Sequence, residues 1–273
     1  MKLKTNCFFV ENSKPDIYKN SCANQIILFL RLQMSVKTKS RGKRILQYSL
    51  RVILILFAAS IFFVLIGRFL NPPITMTQVG AVFDGYGLKR DYVGWNEISR
   101  NVKLAALASE DQLFPEHGGF DWKSIDKSMN GPKKKKRVRG GGASTISQQT
   151  AKNAFLWQGS GMTRYIRKVP EFYFTQLIEW TWGKRRILEV YLNIIEMGPG
   201  IFGIEAASQT YFHKHAKDLS RVEAAMIIAC LPNPKKFTVK PMSRRVGWRY
   251  PQIMEQMNNL EGDEDVEAVI KTP

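Results

Sequence analysis

Cysteine is scarce in this chain: Cys7, Cys22 and Cys230 are its three, far apart and without metal-ligand spacing. That argues against a disulfide framework and against a zinc site. Only Cys230 falls in the main part of the chain, where it reads as a small buried apolar residue. Acidic residues are also in deficit, with 23 Asp and Glu against 41 Lys and Arg and a formal charge of +18. Residues 1–70 hold 12 Lys and Arg against 2 Asp and Glu, so +10 lies there and +8 in the remaining 203 residues. Such a balance calls for a polyanionic partner, whether nucleic acid, an anionic membrane surface or a phosphorylated substrate. Internal repeats are missing, and alternating strand-like runs are nearly so, Val79–Phe83 being the exception. At 273 residues and 44% hydrophobic, the chain has enough for one sizeable core and not for two.

What is present begins with one long apolar run, Val52–Gly67, sixteen residues without a charge, bounded by Arg51 and Arg68 and extended by Phe69 and Leu70. As a helix at about 1.5 Å per residue, residues 50–70 reach roughly 30 Å, the thickness of a hydrocarbon core, and the flanking arginines snorkel. Lys37, Lys39, Arg41, Lys43, Arg44 and Arg51 precede the run, whereas only Arg68, Lys89 and Arg90 follow closely. That asymmetry puts the N-terminus in the cytoplasm. No small-x-small cleavage site follows before Asn71-Pro72-Pro73, which favours an uncleaved anchor over a signal peptide. Residues 1–44 read as a basic, disordered cytoplasmic N-terminus and 45–70 as the transmembrane helix. Met34, followed by the basic stretch and the apolar run, would serve as a start on its own.

Beyond the anchor the pattern is helical. Asn101–Phe114 repeats apolar residues at Val102, Leu104–Leu107 and Leu113, and Lys184–Met197 places Ile187, Leu188, Tyr191, Leu192 and Ile195 on one face. Ser220-Arg221-Val222-Glu223 is a capping box that starts another helix, which stops before Pro232. Gly and Pro punctuate the rest. The expectation is a mainly α domain over 72–259 and a disordered acidic tail over 260–273. The run Lys133–Arg139 looks like a nuclear address, which makes no sense downstream of a membrane anchor. It reads as a solvated loop or as an attraction to anionic headgroups.

Three segments carry chemistry. In Ala105–Asp121, AALASEDQLFPEHGGFD, Glu110 ends an otherwise apolar helix, where partial desolvation raises a carboxyl toward the range of a general base. Gly141–Asn153, GGASTISQQTAKN, gathers the hydroxyls of Ser144, Thr145 and Ser147, the amides of Gln148 and Gln149 and the cation Lys152. That set suits a sugar, or else is a polar helix start capped by Ser144. Arg164, Arg167, Lys168 and Glu171 follow, the last three on one face of a continuous helix. Alone they would be a surface ion-pair ladder. A carboxylate base, a hydroxyl and amide patch and a group of cations together are what glycosyl transfer from a pyrophosphate donor requires.

These residues resemble a known family. The stretch from Ala105 to Phe237 is similar to the bacterial peptidoglycan glycosyltransferases of family 51, which stand alone as monofunctional biosynthetic transglycosylases or are fused to penicillin-binding transpeptidases. The resemblance rests on Glu110-Asp111-x-x-Phe114-x-x-His117-x-Gly119-x-Asp121, GGASTISQQTAKN, Arg167-Lys168-x-x-Glu171, KRRILEVYLNIIEMGPGIFGIEAASQTYF and LPNPKKF. The short remainder of the chain points to the monofunctional form. The resemblance implies a mainly helical, lysozyme-like domain with a membrane-proximal second lobe, after one N-terminal transmembrane helix.

It implies that Glu110 takes the proton from the 4-hydroxyl of acceptor lipid II, whose oxygen attacks C1 of the growing glycan. Undecaprenyl pyrophosphate leaves, with inversion to a β-1,4 bond. Lys152, Arg164, Arg167 and Lys168 are then the cations for the pyrophosphate, and Glu171 positions the donor sugar or a divalent metal. Ser144, Thr145, Gln148 and Gln149 match the donor-site motif, while Asp111, Phe114, His117 and Asp121 hold the loop in shape. The motif around Tyr191, Asn193 and Gly203 looks like core packing. No tightly bound cofactor is implied, beyond room for a metal such as magnesium near the pyrophosphate. The implied partners are lipid II, the lipid-linked glycan, the membrane and other cell-wall synthesis proteins, and not nucleic acid. The implied address is the inner membrane, single-pass, with the catalytic domain in the periplasm.

Two positions depart from the pattern. Thr163 stands where the family usually has an arginine, with Arg164 next to it, and Pro170 interrupts the Arg167–Glu171 face, as a kink or as a first helical turn. The rival readings are a lysozyme-like lytic enzyme that cuts glycan strands, which has no need of the cations, and a non-catalytic membrane scaffold or nucleic-acid binder using the 133–139 run.

Overall fold

The chain divides into two units, residues 1–60 and 61–273, and its computed structural model describes residues 15–130, 144–159 and 161–271. The basic 133–139 run lies outside the described residues. Helix α1, Pro15–Gly67, runs through the first unit and ends in the second. Residues 15–44, expected to be disordered, are helical instead, since no proline interrupts the sequence between Pro15 and Pro72. Within α1, the 27 residues Arg41–Gly67 form a helix long and apolar enough to cross a membrane. At about 1.5 Å per residue they outreach a hydrocarbon core of roughly 30 Å.

The second unit is mainly α, and its core includes the last two turns of α1. Val64 is fully buried, the Trp182 indole N–H donates to its carbonyl at 2.7 Å, and Arg186 donates Nε and Nη2 to the Gly67 carbonyl at 3.1 Å. Arg186 therefore satisfies a carbonyl that the helix end leaves without an internal partner. A Cβ on Gly67 would stand 2.5 Å from the Trp182 ring, so only glycine fits there.

Helix α2, Met76–Phe83, replaces the strand expected at Val79–Phe83. Thr75 and Gln78 form a capping box ahead of it, and an apolar run of five residues is too short for its period to separate strand from helix. Then come β1 (Lys89–Arg90), a 3-10 turn at Trp95–Glu97, α3 (Arg100–Glu110), α4 (Trp122–Asn130), α5 (Ile146–Phe155), α6 (Met162–Ile166), α7 (Lys168–Thr181) and α8 (Gly183–Ile194). Next are β2 (Glu196–Gly198), β3 (Ile201–Phe202), α9 (Ile204–Phe212), a second 3-10 turn at Ala216–Asp218, α10 (Arg221–Ile228), α11 (Arg244–Leu260) and α12 (Glu264–Ile270). The strands make one small sheet in the order β1-β3-β2, parallel between β1 and β3 and antiparallel between β3 and β2.

Two packing groups position the site. Every residue of α3 from Val102 to Ala108 is buried, and α10, α11 and α12 pack around it. Helix α5 packs against α2, α7 and α8. The expected box at Ser220 and Glu223 does start α10. The acidic tail, in contrast, is ordered through Lys271: Asp263 caps α12 by accepting from Asp265 N and Val266 N at 3.1 and 3.0 Å, and Val266, Val269 and Ile270 are buried. Its acidic residues sit where a helix N-terminus favours negative charge, so the composition that looked like disorder is that of a helix start.

Candidate active site

Glu110 is the last residue of α3, at the end of a buried helix, and keeps part of its surface accessible. Its Oε2 accepts from the Gln149 amide at 3.0 Å, and the Ser109 hydroxyl donates to Oε1 at 3.3 Å. Burial raises its pKa above the ordinary carboxylate range, against the opposing pull of those two hydrogen bonds and of the Arg249 and Lys152 charges. The adjacent Asp111 turns the other way. Its carboxylate accepts from Ile146 N at 2.9 Å, at the start of α5, and from His117 Nε2 at 3.0 and 3.1 Å. Because His117 Nδ1 accepts from Gly119 N at 3.1 Å, Nε2 carries the proton of the neutral ring.

The EDxxFxxH motif therefore ties the end of α3 to the start of α5 through Asp111, which bonds both His117 and Ile146 N. Phe114 is fully buried with the Lys184 ammonium 4.6 Å from its ring centre. Asp121 accepts from Ser124 N at 2.9 Å in the first turn of α4, and its contacts with Ser124 are the main reason its pKa falls below the usual value.

Among the hydroxyl and amide residues, the geometry separates two groups. Thr145 and Gln148 are buried and committed to each other in a capping box, Gln148 Oε1 accepting from Thr145 N at 3.0 Å and Thr145 Oγ1 from Gln148 N at 3.1 Å. Thr145 Oγ1 also donates to the Gly119 carbonyl at 2.7 Å. Both were expected to hold the donor; their side chains form the start of the helix that presents Gln149 and Lys152. Thr145, rather than the expected Ser144, is the N-cap, and Ser147 turns to Glu179.

Gln149 and Lys152 lie one turn apart on α5 and line a cavity of about 640 Å³ together with Asn153, Trp157 and Gln158. Residues 76–84 of α2 and its C-cap and the loop Leu231–Lys235 close its other sides. Lys152 links the two halves of the site electrostatically. Its pKa is lowered, first by burial and then by Arg167, while Glu171 and Glu110 oppose the shift.

The cationic cluster is built at the start of α7. Pro170 falls in the first turn, where its missing N–H costs nothing, so Arg167 and Glu171 keep their one-turn spacing, with Glu171 N bonded to the Arg167 carbonyl at 3.0 Å. Glu171 is buried between Arg167 Nε at 3.4 Å and Lys168 Nζ at 2.5 Å. Arg167 is itself buried and donates Nη1 to the Trp157 and Gln158 carbonyls at 3.0 and 2.7 Å. It therefore fixes a wall of the cavity, whereas Lys168 and Arg164 are exposed. The two oxygens of Glu171 each face a cation. Among the described residues no group of three His, Cys, Asp or Glu is arranged to hold a metal ion.

The model of the transglycosylase family matches residues 77–258, two thirds of the chain. The chain belongs to the transglycosylase family. The transglycosylase is 43% identical over 225 residues to the biosynthetic peptidoglycan transglycosylase of Bdellovibrio bacteriovorus, covering 80% of its own length and 88% of that relative. To the protein of that name from Escherichia coli it is 49% identical over 190 residues, 68% and 76% of the two chains. To that from Pasteurella multocida it is 44% identical over 225 residues, 80% and 88%. Two residues that act on Glu110 or are acted on by it were not read as site residues in the sequence: Arg249 on α11, whose charge lowers the Glu110 pKa, and Tyr191, whose buried ring looked like packing.

Proposed function

We propose that the protein is a membrane-anchored peptidoglycan glycosyltransferase that polymerises lipid II into β-1,4-linked glycan strands and releases undecaprenyl pyrophosphate. The observation that carries this reading is the pairing of Glu110, raised above the usual carboxylate range, with cations that begin at Lys152, one turn along α5 from the Gln149 that donates to Glu110. The names of the relatives give the substrate class.

In the reaction, Glu110 accepts the proton of the acceptor 4-hydroxyl as that oxygen forms its bond to C1 of the donor glycan. The bond from C1 to the pyrophosphate oxygen breaks with its electron pair, and attack from the opposite face inverts the anomeric centre. Lys152 and Lys168, with the exposed Arg164, stabilise the charge that grows on the leaving group, where fixed cations lower a barrier most. Arg167 and Glu171 position Lys168 and the 157–158 wall, and no step is assigned to a metal. The basic flank of the apolar span supports an N-terminus in the cytoplasm and a site on the outer face of the inner membrane. The exposed Met162, Tyr165, Ile166 and Val169 of the α6–α7 region fit a lobe that meets lipid.

The test is polymerisation of lipid II by the detergent-solubilised full chain. Glu110→Gln is expected to lower the rate by about 10²-fold or more, the usual contribution of a general base. A loss of less than about tenfold, about 1.4 kcal/mol in barrier, would falsify Glu110 as the base. Release of fragments from preformed glycan, without polymer from lipid II, would instead identify a cutting enzyme.

A further inference from the structure

Tyr191 has no exposed surface, yet its hydroxyl is a polar group that burial penalises unless it is bonded. That hydroxyl lies 3.5 Å from the Gln149 side-chain oxygen, a long bond of the kind that catalytic constellations tighten once substrate is in place. The direction of the chain of bonds is fixed at both ends. Ionised Glu110 only accepts, so the Gln149 nitrogen faces it at 3.0 Å and the amide oxygen is turned toward Tyr191. At the other end, burial first and then the charges of Glu110 and Asp111 hold the Tyr191 hydroxyl well above its ordinary pKa. It stays protonated and can serve as the donor.

We infer that Tyr191 is a positioning residue for glycosyl transfer: its hydroxyl holds the Gln149 amide in the one orientation that donates to Glu110. Gln149 also lines the 640 Å³ cavity. Without Tyr191 its amide is free to turn over, or to swing toward the cavity, and the carboxylate loses its closest donor. The other groups that face Glu110 are the Ser109 hydroxyl, Lys152 from α5 and Arg249 from α11, while the Cys230 thiol beyond α10 is itself raised by burial and stays neutral. All of these persist when Tyr191 alone is changed. The inference rests on Glu110 as the base.

The experiment compares Tyr191→Phe, Gln149→Ala and the double variant in lipid II polymerisation across pH, in the full chain. Phenylalanine keeps the buried ring, so Tyr191→Phe is expected to lower kcat by about three- to tenfold, the scale of one hydrogen bond of 0.5–1.5 kcal/mol. The KM for lipid II moves less than kcat, because the buried Tyr191 itself meets no substrate. Loss of the donor raises the pKa of Glu110, so the acid limb of kcat/KM moves to higher pH. Gln149→Ala does at least as much, and adding Tyr191→Phe to it has no further effect, since the two act in series. An unmoved acid limb in Tyr191→Phe, or full additivity in the double variant, overturns the inference. Gln149→Ala changes an accessible side chain and reads the same limb if the core substitution does not fold. Activity retained by Glu110→Gln would sink the base itself, whereas an inactive Glu110→Gln beside an unmoved Tyr191→Phe sinks only the positioning role.

Discussion

Lys103 is the residue whose chemistry is least expected from its surroundings. It sits in the buried run of α3 with no exposed surface and, among the described residues, no hydrogen-bond partner for Nζ, which lies 3.9 Å from the Trp95 ring centre. Burial first, and the Arg185 charge second, lower its pKa from 10.5 to about 8. The unfolded chain therefore binds more protons than the folded one between those two values, so this group's penalty is full below pH 8 and is relieved as pH rises toward 10.5. Lys103→Met, which keeps the volume, is expected to raise stability at pH 7 by about 1–3 kcal/mol, the shift discounted for the lost contact with Trp95. The gain should fade by pH 10. Urea midpoints of both proteins at the two pH values measure it, and equal destabilisation at both would refute the account. The sequence did not mark Lys103, because a lysine inside an apolar helix reads as its polar face. Glu110 was legible, since a carboxylate closing an alanine-rich helix is a local pattern. Tyr191 and Arg249 were not, because what matters about them is which distant side chain they reach.

At the scale of elements, caps decided where the sequence reading succeeded. Ser220 and Glu223 announced α10, and the same device at Thr75 and Gln78 went unread, so α2 passed for a strand. Thr145 and Gln148 form it again at α5, where residue types that suit a sugar equally suit a helix start. Composition misled at α12 as well, since Asp263, Glu264 and Asp265 are both the signature of disorder and a good first turn. The helix earns its order from Val266, Val269 and Ile270, which pack toward α3 and α8, and from Arg100, which pairs with Glu267 and lies 3.1 Å from Glu261. Truncation after Leu260 is expected to cost about 2–5 kcal/mol, the range for removing buried aliphatic side chains. Chemical denaturation in detergent reads this directly, and an unchanged midpoint would restore the disordered tail.

For the molecule as a whole, the end of the apolar span belongs to the second unit. Residues 61–67 supply Val64 to the core, an acceptor to the Trp182 indole and the carbonyl that Arg186 caps. A chain begun at Ile61 keeps all three, and one begun at Asn71 keeps none. The shorter form leaves a space beside Trp182 and three donors, Trp182 Nε1 and Arg186 Nε and Nη2, to find water. Burying a valine is worth about 1.5–3 kcal/mol and each replaced hydrogen bond about 1 kcal/mol. Since 1 kcal/mol moves the Tm of a domain of this size by about 2–4 °C, the form begun at Asn71 should melt at least about 5 °C below the form begun at Ile61. Both are measured in the same detergent, because Phe62, Phe63 and Phe69 are exposed and would otherwise associate. Equal melting temperatures would mean that the helix end only leans on the unit it enters. A lower Tm for the shorter form, with the form begun at Ile61 matching the full chain, would establish the last two turns of the span as part of the core on which α7 and α8, and through them α5 and Gln149, are built.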